Sequence, residues 1–202
     1  MLSVVMSWTL HKNIRAALAI SLALLLVTGV VGCSSDGGQA DPSDPVKRAL
    51  TDNNQWKLLA PGVDPFFDAA HPKAKGCGDV DLGIEMVGPD TWFEVDTSGC
   101  AYVTVRQPIG HAIPQGAELF VRIWHFKLLS APGDYRVVLA VGEGADRTII
   151  YEKKVTAPNA KSGLLFTTVK SPRSFAKGSP VYWHISNHGD NTWRFIEFSA
   201  TY

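Results

Sequence analysis

His184, His188, Asp190 and Asn191 fall within eight residues of one another, in a stretch bracketed by Trp183 and Trp193. Imidazole and carboxylate side chains together suit zinc or another borderline metal. A further imidazole, His125, lies between Trp124 and Phe126. The spacing limits the chemistry. On one extended strand the Cα atoms of His184 and His188 would stand about 13 Å apart, too far to share an ion. They converge if the chain turns after Ile185, and His125 joins them if its strand lies beside Val181–Ser186. The same residues have a purely local reading. Asn187-His188-Gly189-Asp190-Asn191 is turn chemistry, with Gly189 free to take positive φ and Asp190 and Asn191 able to bond nearby backbone. A third reading is a ligand-binding loop at one end of the fold, using His184, His188, Asp190, Asn191 and Trp193 without metal.

Other reactive patterns are missing from the sequence. It contains no His-Glu-x-x-His, no Cys-x-x-Cys and no Gly-x-Ser-x-Gly. Asp81, Glu85, Glu94 and Asp96 alternate with apolar residues, as solvent-facing strand positions do. Gly142-Glu143-Gly144 is a hairpin turn and not a phosphate loop, because no helical pattern follows it. Trp92, Tyr182, Trp193 and Tyr202 stand near loops and are able to stack on sugar rings or on a partner surface. No catalytic residue is assigned. The expected role is a binding or structural module without cofactor, with a glycan, a small ligand or an envelope protein as partner. The alternative is a metal-dependent enzyme or metal-binding protein using His125, His184, His188 and Asp190 with zinc or calcium.

The elements that position these residues read as strands. Asp81–Val87, Thr91–Asp96, Ala101–Arg106, Glu118–Leu128, Tyr135–Gly142, Thr148–Val155, Leu164–Lys170, Val181–Ser186 and Trp193–Tyr202 are rich in β-branched and aromatic residues and are separated by Gly, Pro, Asn and Asp. About nine short strands with regular turns predict an all-β fold, an antiparallel β-sandwich of jelly-roll type. Val181, Trp183 and Ile185 form one natural core face; Tyr135, Val137, Leu139 and Val141 form another. Glu118–Leu128 is apolar on both faces. Leu119, Val121 and Ile123 line one side, and Phe120, Trp124 and Phe126 the other. Such a strand is either covered on both sides or presents an aromatic platform.

The 202 residues carry 19 basic and 19 acidic side chains, 46% apolar residues and 10% aromatic. Disorder is excluded by the apolar content. Binding of nucleic acid through bulk charge is excluded by the lack of a basic excess.

The N-terminus is distinct. His11, Lys12 and Arg15 precede an uncharged run from Ala16 to Val31, shorter than the roughly 20 apolar residues a membrane span needs and suited to a signal peptide. The run ends in Val30-Val31-Gly32-Cys33. This resembles the lipobox of bacterial lipoproteins, with Val31 bulkier than usual at its position. The resemblance covers the N-terminal stretch alone. It implies removal of residues 1–32, lipid on Cys33, and anchoring to the cell envelope; Ser34 directly after the Cys leans towards the outer membrane where the host has one. Two or more acyl chains hold a membrane stably where a single chain does not. With Cys33 lipidated, Cys77 and Cys100 remain, and outside the cytoplasm the simplest state of such a pair is a disulfide. Residues 33–55 read as lipidated Cys and flexible tether, and 56–202 as one sandwich domain.

Overall fold

A computed structural model describes residues 45–67, 75–129, 133–157, 160–186 and 191–202. All belong to the compact unit Asp41–Tyr202. Among the described residues, eleven strands form two antiparallel sheets. In chain order they are β1 (Lys47–Ala49), β2 (Lys57–Leu58), β3 (Leu82–Val87), β4 (Asp90–Asp96), β5 (Tyr102–Pro108), β6 (Glu118–His125), β7 (Gly133–Val141), β8 (Thr148–Ala157), β9 (Gly163–Lys170), β10 (Pro180–Ser186) and β11 (Thr192–Thr201). The first sheet runs β3-β4-β11-β6-β9, with β1 added on β11; the second runs β2-β5-β10-β7-β8.

This order is that of a long hairpin rolled up. β7 pairs with β8 at its tip, β6 with β9, β5 with β10, and β4 with β11. Successive rungs fall alternately in the two sheets, which is the jelly-roll arrangement of two Greek keys. Every rung is antiparallel, so each strand can present one face to the core and the other outward. The nine strands read from the sequence correspond to β3–β11. The two additional ones, β1 and β2, are too short for an alternation to show.

β1 and the fully buried Leu50 lie within 33–55, so the folded unit takes in part of the stretch read as tether. β6 ends at His125, although the expected strand ran to Leu128; Phe126 still donates its N–H to the Thr192 carbonyl, and Leu128 is buried.

Between the sheets lies a core rich in aromatic rings. Trp183 and Phe195 meet at 5.3 Å between centroids, Trp56 and Phe195 at 4.9 Å, and Phe93 and Trp183 at 6.0 Å. The expected core faces of β10 and β7 are the observed ones: Val181, Trp183, Ile185, Tyr135, Val137, Leu139 and Val141 are fully buried. Cys77 and Cys100 form the disulfide. It joins the residues before β3 to the corner where the chain passes from β4 in one sheet to β5 in the other.

Candidate functional site

Among the described residues, those marked by the sequence are not all gathered at one point. His188 and Asp190 lie outside the described residues. Trp193 is fully buried in the core, and His125 packs on it at 5.1 Å between ring centroids. His125 stands on the inner face of the first sheet, where its Nδ1 lies 2.8 Å from the Phe126 carbonyl oxygen and so donates to it. Burial lowers its pKa, and that hydrogen bond opposes the shift. Asn191 is buried as well; its carbonyl accepts from the N–H and the hydroxyl of Thr97.

His184 lies on the other sheet, on the face of β10 opposite to Trp183. The segment Ala60–Phe67, carrying a short turn of 3-10 helix at Pro61–Val63, crosses this face. Phe66 stacks on the imidazole at 5.1 Å. Nδ1 is 2.7 Å from the Thr104 hydroxyl, and that hydroxyl donates to Asp64 at 2.7 Å. Thr104 has one hydrogen and gives it to the carboxylate, so Nδ1–H of His184 must be the donor to Thr104. Asp64 also accepts the N–H of Phe66. Burial, with a smaller effect of the Arg136 charge, pushes the imidazole down to about 3. His184 is therefore a neutral donor that fastens the covering segment to the sheet. His125 and His184 occupy different sheets and point into different layers, so the two cannot share an ion. Among the described residues, one group of three metal-ligating side chains comes together, Cys77, Asp81 and Cys100. Its two sulfurs are bonded to each other, which leaves no thiolate to bind.

The first sheet presents a different surface. β6 sends Leu119, Val121, Ile123 and His125 inward and Phe120, Arg122 and Trp124 outward. β9 repeats this pattern, with Leu165 and Val169 packed against the core and Leu164, Phe166 and Thr168 outward. Glu94, Arg194, Trp124 and Leu164 stand side by side across four strands, and Arg122 and Phe166 form part of the next row. A register shift between Phe195 and Glu197 brings Glu197 opposite Arg122. Two of the rings here are exposed, Phe166 to 65% and Phe126 to 40%, while Phe120 and Trp124 are half-buried.

Ion pairs hold the rings in place. Arg194 bonds Glu94 at 2.8 Å and also contacts Glu85. Its guanidinium lies 4.5 Å from the Phe126 centroid and 6.0 Å from that of Trp92. Lys47 pairs with Glu197 and lies 5.0 Å from the Phe120 centroid. A cation over a ring face is attracted by the ring's quadrupole, so each ring gains orientation as well as contact. The Trp92 indole N–H has no acceptor among the described residues. Trp92 was among the stacking residues expected from the sequence, and Phe120, Trp124 and Phe126 were the platform half of the reading of β6. Phe166 was missed. Its signal was the same as theirs, an outward position with an apolar residue on an already apolar strand.

Fold and surface together define a jelly-roll sandwich with one aromatic sheet face open to solvent. No protein-family model and no curated protein matches the chain. Among solved structures, the chain is similar to TmCBM61 in complex with beta-1,4-galactotriose (TM-score 0.43, 8% identity, covering 77% of this chain and 98% of that one). A carbohydrate binding module of family 29 gives a TM-score of 0.42 at 6% identity, over 78% of this chain and 92% of that one. The arabinose-bound MgGH51 a-L-arabinofuranosidase gives 0.43 at 10% identity over 75% of this chain, which spans about a quarter of the enzyme (26%).

Proposed function

We propose that this protein is a glycan-binding module, held at the cell envelope by lipid on Cys33, that takes saccharide on the outer face of the first sheet. The observation that carries the reading is the row of outward rings, Trp124 and Phe126 on one strand and its extension and Phe166 on the neighbour, braced by Arg194 and its two carboxylates. The C–H face of a pyranose is apolar and packs on an aromatic ring, while its hydroxyls need donors and acceptors at the rim. Glu94 and Arg122 supply them. Charges on this face are matched: Arg194 is opposed by Glu94 and Glu85, and Lys47 and Arg122 by Glu197. A matched face suits a neutral chain and offers nothing to a polyanion.

Affinity electrophoresis of the protein through gels holding neutral polysaccharides tests this reading. The parent protein should be retarded by at least one polysaccharide. Phe166→Ala and Trp124→Ala should each weaken the retardation about tenfold, which corresponds to about 1.4 kcal/mol. Binding unchanged in the double variant would move the site elsewhere, and no retardation in any gel would reject the glycan. Anchoring is tested separately. The protein expressed in a bacterium should partition into detergent, and Cys33→Ser should abolish this; a Cys33→Ser variant that still partitions would favour an uncleaved apolar anchor.

A further inference from the structure

The second sheet carries a groove of opposite character. It runs along the outer side of β2, β5 and β10 as two adjoining lobes of about 570 and 610 Å³ that share Lys57, Arg106 and Glu143. Arg147 and Tyr182 line one lobe; Gln107 lies along the other.

Lys57 and Arg106 are direct partners in the antiparallel register of β2 on β5. Like charges set opposite each other in this way destabilise a sheet, and a short edge strand such as β2 has few other contacts to offset them. Arg147 adds a third cation. Its guanidinium lies 5.0 Å from the Phe66 centroid, on the segment fastened by His184 and Asp64. The Asp52 carboxylate is taken up by the carboxamides of Asn54 and Gln55, and the acid lining the lobes is Glu143. It is 71% exposed and meets Arg106 at 3.8 Å, a loose contact of little energy.

The rim is preorganised. Gly142 takes φ +95, and a Cβ there would stand 2.6 Å from the Asp146 carbonyl oxygen. The turn is closed by bonds from Asp146 N–H to Glu143 and from Arg147 N–H to Gly144. Glu143 and Arg147 are thereby held at the groove by a turn that a residue with a side chain at position 142 could not make. Gln107 edges the other lobe, but its side chain, in register with the core residue Val181, turns to the inner layer, where its carbonyl oxygen accepts the Asp52 N–H. Asn54 and Gln55 stand beside it.

We infer that this groove is a second binding site, for an acidic saccharide, with a carboxylate seated between Lys57, Arg106 and Arg147 and hydroxyls facing Asn54 and Gln55. Three cations around one weak anion ask for an oxyanion, and the guanidinium fork matches a carboxylate. A bare anion would occupy one lobe. The two adjoining lobes, which share Lys57 and Arg106 and add Arg147 at one end and Asn54 and Gln55 at the other, fit an extended ligand that carries both charge and hydroxyls. The groove and the aromatic platform lie on different sheets, so each reading stands or falls alone.

The test is a titration of the protein with trigalacturonate, galactotriose and inorganic phosphate, followed by calorimetry at low and high salt. Trigalacturonate should bind, and raising the salt should weaken it, because the contacts are partly exposed ion pairs. Arg106→Gln and Arg147→Gln should each weaken it tenfold or more, with Lys57→Gln as a further exposed substitution, and thermal melting should show all three folded. Phe166→Ala should leave it unchanged. Galactotriose binding should be insensitive to the three charge changes. Equal affinity for phosphate and trigalacturonate would overturn the assignment to a saccharide. Absence of trigalacturonate binding, or binding that survives in an Arg106→Gln, Arg147→Gln double variant, would overturn the site.

Discussion

His184 should make the fold sensitive to acid in a range where the carboxylates are still ionised. In the folded chain its pKa is pushed down to about 3 from the ordinary 6.5, first by burial and then by the Arg136 charge. In the unfolded chain it returns to the ordinary value. Between these limits the unfolded state binds a proton that the folded state refuses, so stability falls as the pH falls below about 6.5 and levels off near 3. Going from pH 7 to pH 5, linkage through this one group removes about 2 kcal/mol, a large share of the 5–15 kcal/mol typical of a domain. His125 adds to the loss in the same direction, since burial lowers its pKa too. Asp52, Glu152 and Glu197 have lowered pKa values. Their stabilising contribution is complete above the ordinary carboxylate range and is lost only at lower pH, outside this interval. The informative variant is His184→Asn, which keeps an N–H able to donate to Thr104 and removes the titration. It should cost about 1–2 kcal/mol at pH 7 through lost stacking on Phe66. Urea unfolding of parent and variant at pH 7 and pH 5 then gives four free energies. The parent should lose about 2 kcal/mol more than the variant across the interval. Equal losses in both proteins would refute the reasoning and imply that His184 takes up its proton in the folded state.

Three further outcomes follow from the same structure. Reduction of Cys77–Cys100, whose partners are 23 residues apart in sequence, should lower stability by about 3 kcal/mol on chain-entropy grounds, read as a fall in the urea midpoint. Trp183→Ala, at the centre of the aromatic cluster, should cost about 3–5 kcal/mol by the same measurement. Gly142→Ala should cost about 2 kcal/mol or more, combining positive φ with backbone contact at Asp146, whereas Gly88→Ala, with φ +63 and open space around it, should cost less; their melting temperatures compared side by side would show it.

Strand positions and inward faces were legible because alternation is a local signal: Tyr135, Val137, Leu139 and Val141 declare a buried face with no knowledge of what buries it. The disulfide followed from the same kind of local count. The candidate site was not legible in this way, and β6 and β10 show why. Each is apolar or aromatic on both faces. On β10 the second face, Tyr182 and His184, is covered by Asp64, Phe66 and their neighbours, some 120 residues earlier in the chain; it is closed by a buried His-Thr-Asp chain of hydrogen bonds. On β6 the second face, Phe120 and Trp124, lies half-buried at the surface, beside the exposed Phe126 and Phe166. Nothing in either strand distinguishes the two outcomes. The cover is an irregular segment with no periodicity to announce it, and its attachment depends on Thr104, a residue of a third strand. A histidine that reads as a ligand-binding edge thereby becomes a clasp, and the second face of β6, which reads equally as covered or as a platform, lies at the surface. The polar cluster at His184–Trp193 drew attention because its residue types are reactive. Among the described residues placement outweighs type: Trp193 and His184 are buried and His125 faces another layer, while the rings and ion pairs at the surface of the first sheet have residue types that, taken singly, are those of any sandwich strand.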